Sequence, residues 1–138
     1  MPKTKERYDH GVHNEDTCTY LNLKPEFKDW VITTSFYSAL HFVASKIFPF
    51  SAPAIDGKQT QILTIDQYYN YSGAKKRNLS KHELMLELVE KNFADNTADY
   101  YDWLLSMATT ARYSNYQQQP EIANRAITYL GYIKKACS

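Results

Sequence analysis

Cysteine, glycine and proline are all scarce in this chain of 138 residues, which has two Cys, four Gly and five Pro. Cys18 and Cys137 stand near opposite ends. Two cysteines so far apart make neither a zinc pattern nor a disulfide framework, and reduced thiols in a cytosol are the expected state. So little Gly and Pro excludes fibrous and linker-like chains. An excess of one charge is missing as well. Lys plus Arg is 16 and Asp plus Glu is 15, for a net charge of +1, and both halves of the chain are close to neutral. That balance argues against a general duplex-coating protein and against an acidic tail.

Long apolar runs are also absent. Met1 to Arg7 is basic, but no apolar segment follows it, so no signal peptide is expected. The longest apolar stretch, Trp30 to Phe48, is interrupted by Thr33, Thr34, Ser35, Ser38, His41, Ser45 and Lys46. It reads as a buried amphipathic helix and not as a membrane span. A soluble, cytoplasmic protein with no membrane partner is the expectation. There is no G-x-x-x-x-G-K-[ST], no G-x-G-x-x-G, no H-E-x-x-H and no G-x-S-x-G. Phosphate-cradling NTPases, dinucleotide enzymes, zincins and α/β-hydrolases are therefore disfavoured, and no cofactor is expected.

Tyrosine is abundant, with 12 Tyr against 6 Phe and 2 Trp. So is helical periodicity. A first helix is expected from about Lys5 to Leu23, although Gly11 weakens it by about 1 kcal/mol of propensity. A second opens near Pro25, where a missing N–H costs nothing, and stops at Pro49. It carries two stripes: Trp30, Thr34, Tyr37, His41, Ala44 and Phe48, and Ile32, Phe36, Leu40, Val43 and Ile47. Two stripes predict a helix buried on most sides. A third helix begins at Ser80, which forms an S-x-x-E capping box with Glu83. A fourth starts near Thr97, with Tyr100, Leu104, Met107 and Ala111 inward. A fifth opens at Pro120 and repeats through Ile122, Ala126, Tyr129 or Leu130, and Ile133. Residues 50–79 lack a long period and read as a long loop, within which Gln61 to Ile65 could be a short strand. The predicted fold is a single all-α domain over residues 1–138. It is a four- to five-helix up-and-down bundle with that loop between the second and third helices.

The segment Asp29-Trp30-Val31-Ile32-Thr33-Thr34-Ser35-Phe36-Tyr37-Ser38-Ala39-Leu40-His41 resembles the D-W-x5-F-Y-x-A-L-H segment of bacterial HEPN-like (higher eukaryotes and prokaryotes nucleotide-binding) proteins. Three further pieces resemble that family in order. They are His13-Asn14-Glu15, His82 at a helix start, and Tyr101 followed by Ser106-Met107-Ala108-Thr109-Thr110-Ala111-Arg112-Tyr113. Together they span residues 13 to 113. The resemblance implies a helical bundle, often a symmetric dimer. It also implies an RNA- or nucleotide-related role in toxin–antitoxin, CRISPR or anti-phage defence. Many members are metal-independent endoribonucleases whose Arg is followed within a few positions by His. Here Arg112 is followed by Tyr113, Ser114, Asn115, Tyr116 and three Gln, and no His occurs after His82. Either the domain does not cleave RNA, or His41 or His82 supplies the imidazole from another helix. The ending Arg112-Tyr113-x-x-Tyr116 resembles non-catalytic relatives.

Each candidate has two readings. Arg112 either pairs with a carboxylate such as Glu15 or Asp29 or clamps a phosphate with its guanidinium fork. His41 is either a satisfied core histidine or part of a polar site with His82 or Arg112. His82, in a first turn, is either exposed or part of that site. His10 and His13 are spaced for a metal, but no second ligand pair is obvious, so capping or hydrogen bonding by Asn14 and Glu15 is the preferred reading. Tyr68, Tyr69 and Tyr71 beside Lys75, Lys76 and Arg77 form either a single-strand nucleic-acid loop or a solvated surface. Candidate ligand contacts are thus His13, Asn14, Tyr37, Tyr113, Tyr116, Lys75, Lys76 and Arg77. RNA or a nucleotide, a second copy of the chain and a cognate protein are the expected partners. A non-catalytic homodimeric module with a tyrosine-rich interface is the alternative.

Overall fold

A computed structural model describes residues 4–54, 56–94, 96–113 and 120–138. The described residues are mostly helical. In chain order they form α1 (Thr4–Asn22), a single 3-10 turn (Pro25–Phe27), α2 (Lys28–Ile47), β1 (Phe50–Pro53) and β2 (Gln59–Ile62). These are followed by α3 (Ile65–Ser72), α4 (Lys81–Asn92), α5 (Thr97–Tyr113) and α6 (Pro120–Ala136). No described helix is long and apolar enough to cross a membrane.

Helix α2 is the centre, packing against α1, α4, α5 and α6. Its polar residues are compatible with burial because the helix backbone absorbs them. Thr33, Thr34 and Ser35 donate to the carbonyls four residues earlier, and Ser45 donates to Phe42 O. A hydroxyl satisfied locally does not have to be desolvated without a partner. The apolar side chains Ile32, Phe36, Phe42 and Val43 are fully buried. They meet Tyr101, Leu104 and Ala108 of α5, and Ala126, Leu130 and Ile133 of α6, in one core. As its two stripes predict, α2 is buried on most sides, but not evenly. The Trp30–Thr34–Tyr37–His41 stripe faces partly outward, and Trp30 itself is 51% exposed. Pro25 also lies in the 3-10 turn, so the α-helix begins at Lys28.

Helix α1 runs antiparallel to α2. Cys18 Sγ lies 3.1 Å from Ser35 Oγ, Ser38 Oγ donates to Gly11 O at 2.6 Å, and the Arg7 guanidinium lies over the Phe48 ring. The sequence treats Gly11 as a weakness, whereas the packing requires it. A Cβ there would stand 2.7 Å from the buried Phe42 ring, so only glycine lets the two helices close to this distance. Helix α6 packs on α2 and α5, and its Lys134 reaches across to α1, with Nζ 2.8 Å from Glu15 Oε1. Glu15, one of the two carboxylates that could have paired with Arg112, is therefore already engaged.

Residues 50–79 are not a long loop. Strands β1 and β2 pair antiparallel with Phe50 opposite Ile62 and Pro53 opposite Gln59, and Gly57 takes a positive φ in the turn. The strand expected at Gln61 to Ile65 lies at Gln59–Ile62. Helix α3 follows, its N-terminus capped by Thr64, which accepts from Gln67 N, and its C-terminus closed by Gly73 at φ 71°. The expected capping box is present in α4: Glu83 N donates to Ser80 Oγ and Ser80 N donates to Glu83 Oε1, both at 3.1 Å.

Candidate functional site

Three elements bring candidate side chains together around Phe36. From α5, Arg112 Nη1 donates to the Tyr37 hydroxyl of α2 at 3.1 Å. The same guanidinium stands 5.4 Å from the Tyr37 ring centroid. From the first turn of α4, His82 sets its ring edge-on to Phe36, with centroids 5.6 Å apart. Burial, and then the positive charge of Arg112, hold the His82 pKa below the ordinary histidine value. At neutral pH His82 is an uncharged imidazole with one donor and one acceptor. Arg112 lies in the last turn of α5, where the helix dipole favours a cation. A guanidinium, a phenol and a neutral imidazole thus share one partly exposed corner. That set can bind a phosphate oxygen and accept a proton from a neighbouring hydroxyl.

His41 looks elsewhere. Its ring stacks on His10 of α1 with centroids 3.7 Å apart and planes 20° from parallel. Burial first, then His10 and Arg7, push its pKa down to about 4. His41 thus meets α1, whereas Arg112 bonds to Tyr37 and its charge acts on His82. His13 sits edge-on to His10 at 6.4 Å and is exposed, with Asn14 half-buried beside it. No group of three or more His, Cys, Asp or Glu capable of holding a metal occurs among the described residues.

The tyrosines of residues 68–71 have structural partners. Tyr68 packs edge-on against Phe50 at 5.4 Å, Tyr71 donates its hydroxyl to Pro53 O, and Lys81 stands over the Tyr69 ring. These contacts fasten α3 to the hairpin and to α4. Lys75 and Lys76 are exposed in the turn after α3, whereas Arg77 pairs with Glu87 at 3.2 Å. Tyr113 is the last residue of α5, and Tyr116 lies outside the described residues.

Two residues of this region were not singled out by sequence reasoning in the role they hold. Arg7 is only 8% exposed and lines a cavity of about 170 Å³ with His41, Leu40, Thr64, Ile65 and Met85. His10 closes over His41. The available signal was spacing, because Arg7 shares the inward stripe of α1 with Gly11 and Cys18. A charged residue near a chain start is ordinarily read as surface. No protein-family model, curated protein or solved structure matches the chain.

Proposed function

We propose that the chain is a HEPN-like helical domain that binds single-stranded RNA or a nucleotide by its phosphate, in a prokaryotic defence or toxin–antitoxin setting. The observation that carries the reading is the Arg112–Tyr37–His82 corner. There a guanidinium is oriented by a phenolic hydroxyl and its charge acts on a half-buried neutral imidazole. Arginine presents a planar fork that matches phosphate oxygens, and the Tyr37 ring, 36% exposed, offers a face on which a base can stack. In this reading Arg112 binds phosphate. Any cleavage would use His82 as base, because the His41 ring is stacked on His10. No cofactor enters the proposal.

The test is a titration of labelled single-stranded RNA at low and moderate salt, together with a cleavage assay. Binding that falls steeply with salt in the wild type and is lost in Arg112→Ala supports the reading. Binding that is absent at low salt, or that is unchanged in Arg112→Ala, removes it. Intact RNA after prolonged incubation removes the nuclease arm alone.

A second reading rests on a different surface. Tyr20, Leu23, Phe27 and Trp30 are all exposed where α1 turns into α2, Leu23 by 74%. Clustered exposed apolar side chains mark interaction surfaces. In this reading the domain is a non-catalytic homodimer closed by this patch. Sedimentation equilibrium of wild type and Trp30→Glu tests it: a dimer that becomes monomeric supports it, and a monomeric wild type removes it.

A further inference from the structure

We propose that the open cleft at the N-terminus of α5 binds a phosphate monoester that carries a flat ring, with the phosphate on the helix end and the ring on Tyr100. The site is separate from the Arg112 corner, since the rise along α5 from Thr97 to Arg112 is about 22 Å. It stands or falls independently of RNA binding there.

The cleft has a volume of about 420 Å³, within the roughly 300–1,000 Å³ of small-molecule clefts. Polar groups line it directly. Lys46 comes from the last turn of α2, Asn92 from the end of α4, and Asn96 and Thr97 from the start of α5. Lys46 forms no ion pair among the described residues. No described carboxylate lines the cleft. Helices α2, α4 and α6 also end beside it, but Phe48 N, Phe93 N and Cys137 N turn back onto the carbonyls of Ala44, Val89 and Ile133. Fewer free carbonyls therefore oppose an anion.

Thr97 identifies what the cleft takes. It is 9% exposed, yet its hydroxyl forms no hydrogen bond among the described residues. Nor is that oxygen one of the sealed, unpartnered polar atoms of the core, so its free side opens on the cleft that Thr97 lines. A hydroxyl so far withdrawn from water and without a protein partner is completed by a ligand oxygen. The backbone adds further donors. The Asn96 carbonyl accepts the first bond of α5, from Tyr100 N at 3.0 Å, which leaves the amides of Thr97, Ala98 and Asp99 as the orphan donors of the helix. No side chain accepts from them among the described residues. Those amides, the helix dipole and Lys46 together favour an anion. A phosphate monoester has three oxygens free of its ester bond, one each for an amide, the Thr97 hydroxyl and the Lys46 ammonium; a carboxylate has only two. Aromatic side chains supply the place for the ring. Phe93 and Tyr100 line the cleft, and Tyr132, 50% exposed, stands 5.1 Å from Tyr100. Half-exposed rings beside an anion site offer a face for stacking.

Amide NMR spectra of the full chain, titrated with adenosine 5′-monophosphate, phenyl phosphate, adenosine and inorganic phosphate, test the site. Saturable shifts from both monoesters are expected, centred on Phe93, Asn96, Thr97 and Tyr100. Adenosine, which has the ring without the charge, should bind at least about tenfold more weakly than its monophosphate. Inorganic phosphate, which has the charge without the ring, should bind about fivefold more weakly than phenyl phosphate. Lys46→Ala should weaken binding of the nucleotide about three- to fivefold. Thr97→Val, which keeps the shape and removes the hydroxyl, should weaken it about threefold or more. Lys46 is exposed, so its variant decides if Thr97→Val does not fold. The site is overturned if neither monoester saturates, if the shifts centre on Arg112 or elsewhere, if adenosine binds as tightly as its monophosphate, if inorganic phosphate binds as tightly as phenyl phosphate, or if Lys46→Ala binds unchanged.

Discussion

The imidazole of His41 lies flat on that of His10, centroid to centroid 3.7 Å, joining the middle of α2 to the first half of α1. Two imidazoles in that arrangement cannot both carry a proton cheaply, because like charges would face each other across the stack. His41 is therefore the neutral member of the stack at physiological pH.

This gives the fold a pH dependence of definite sign. The folded-state pKa of His41 is about 4 and its ordinary value is 6.5. Between those values the unfolded chain binds the proton more readily, so stability rises with pH through that window. The contribution is fully present above about pH 6.5 and is lost as pH falls towards 4. Since the ring is half-exposed, solvent screening holds the effect to the order of 1–2 kcal/mol. Urea unfolding at about pH 7.5 and about pH 4.5 measures the difference. In His41→Gln that difference should shrink; an equal pH slope in both proteins would refute the assignment.

Gly11→Ala should destabilise the protein despite improving helix propensity. The gain of ~1 kcal/mol from propensity is outweighed by a Cβ placed 2.7 Å from the Phe42 ring, an overpacking cost of about 1–3 kcal/mol. The two residues should be coupled. Gly11→Ala combined with Phe42→Leu should cost less than the sum of the single changes, as a double-mutant cycle by chemical denaturation would show.

Tyr101 is fully buried, and its hydroxyl has no hydrogen-bond partner among the described residues. Burial holds its pKa well above the ordinary phenol value. An unpaired buried hydroxyl is a liability, so Tyr101→Phe should leave stability unchanged or raise it by about 1 kcal/mol, near 3 °C in Tm for a chain of this length. A loss of stability in that variant, read by calorimetry, would mean that the hydroxyl is satisfied by buried water.

At the Arg112 corner, Tyr37→Phe and Arg112→Ala should separate orientation from charge. Tyr37→Phe keeps the ring and removes the acceptor of the 3.1 Å hydrogen bond. Its RNA affinity should fall a few-fold with the salt slope unchanged. Arg112→Ala should weaken binding further and lower the slope by about 1, because a phosphate contact is lost. Fluorescence anisotropy over a salt series distinguishes the two, and a change of slope in Tyr37→Phe would contradict this division of roles.

The helices were legible because their signals are local. The Ser80–Glu83 capping box, Pro49 and Pro120, and the stripes of α2, α5 and α6 need only a few neighbouring residues. The first strand of the hairpin and α3 were missed because their main supports are distant contacts: Phe50 with Tyr68, and Tyr71 with Pro53. Neither partner reveals the other in a linear reading. Tyr68 and Tyr71, which the sequence left open between a nucleic-acid loop and a solvated surface, pack on Phe50 and bond to Pro53 and so fasten this segment.

The same division holds at the sites. Arg112, Tyr37, His82 and His41 were legible as candidates, because a few charged and aromatic groups on helical stripes are visible without a fold. The chain by itself determined that it is mostly helical, where its principal helices end, and that any phosphate contact must be local in a protein of net charge +1. Only the tertiary structure decided the partners. It set Arg112 beside His82, turned His41 towards His10 and Arg7, and buried Arg7 in a cavity wall. Periodicity fixes which face of a helix a residue occupies, whereas the rotation and approach of neighbouring helices fix what that face meets. Between α1 and α2 that approach is set by a single missing Cβ at Gly11 against a ring at Phe42.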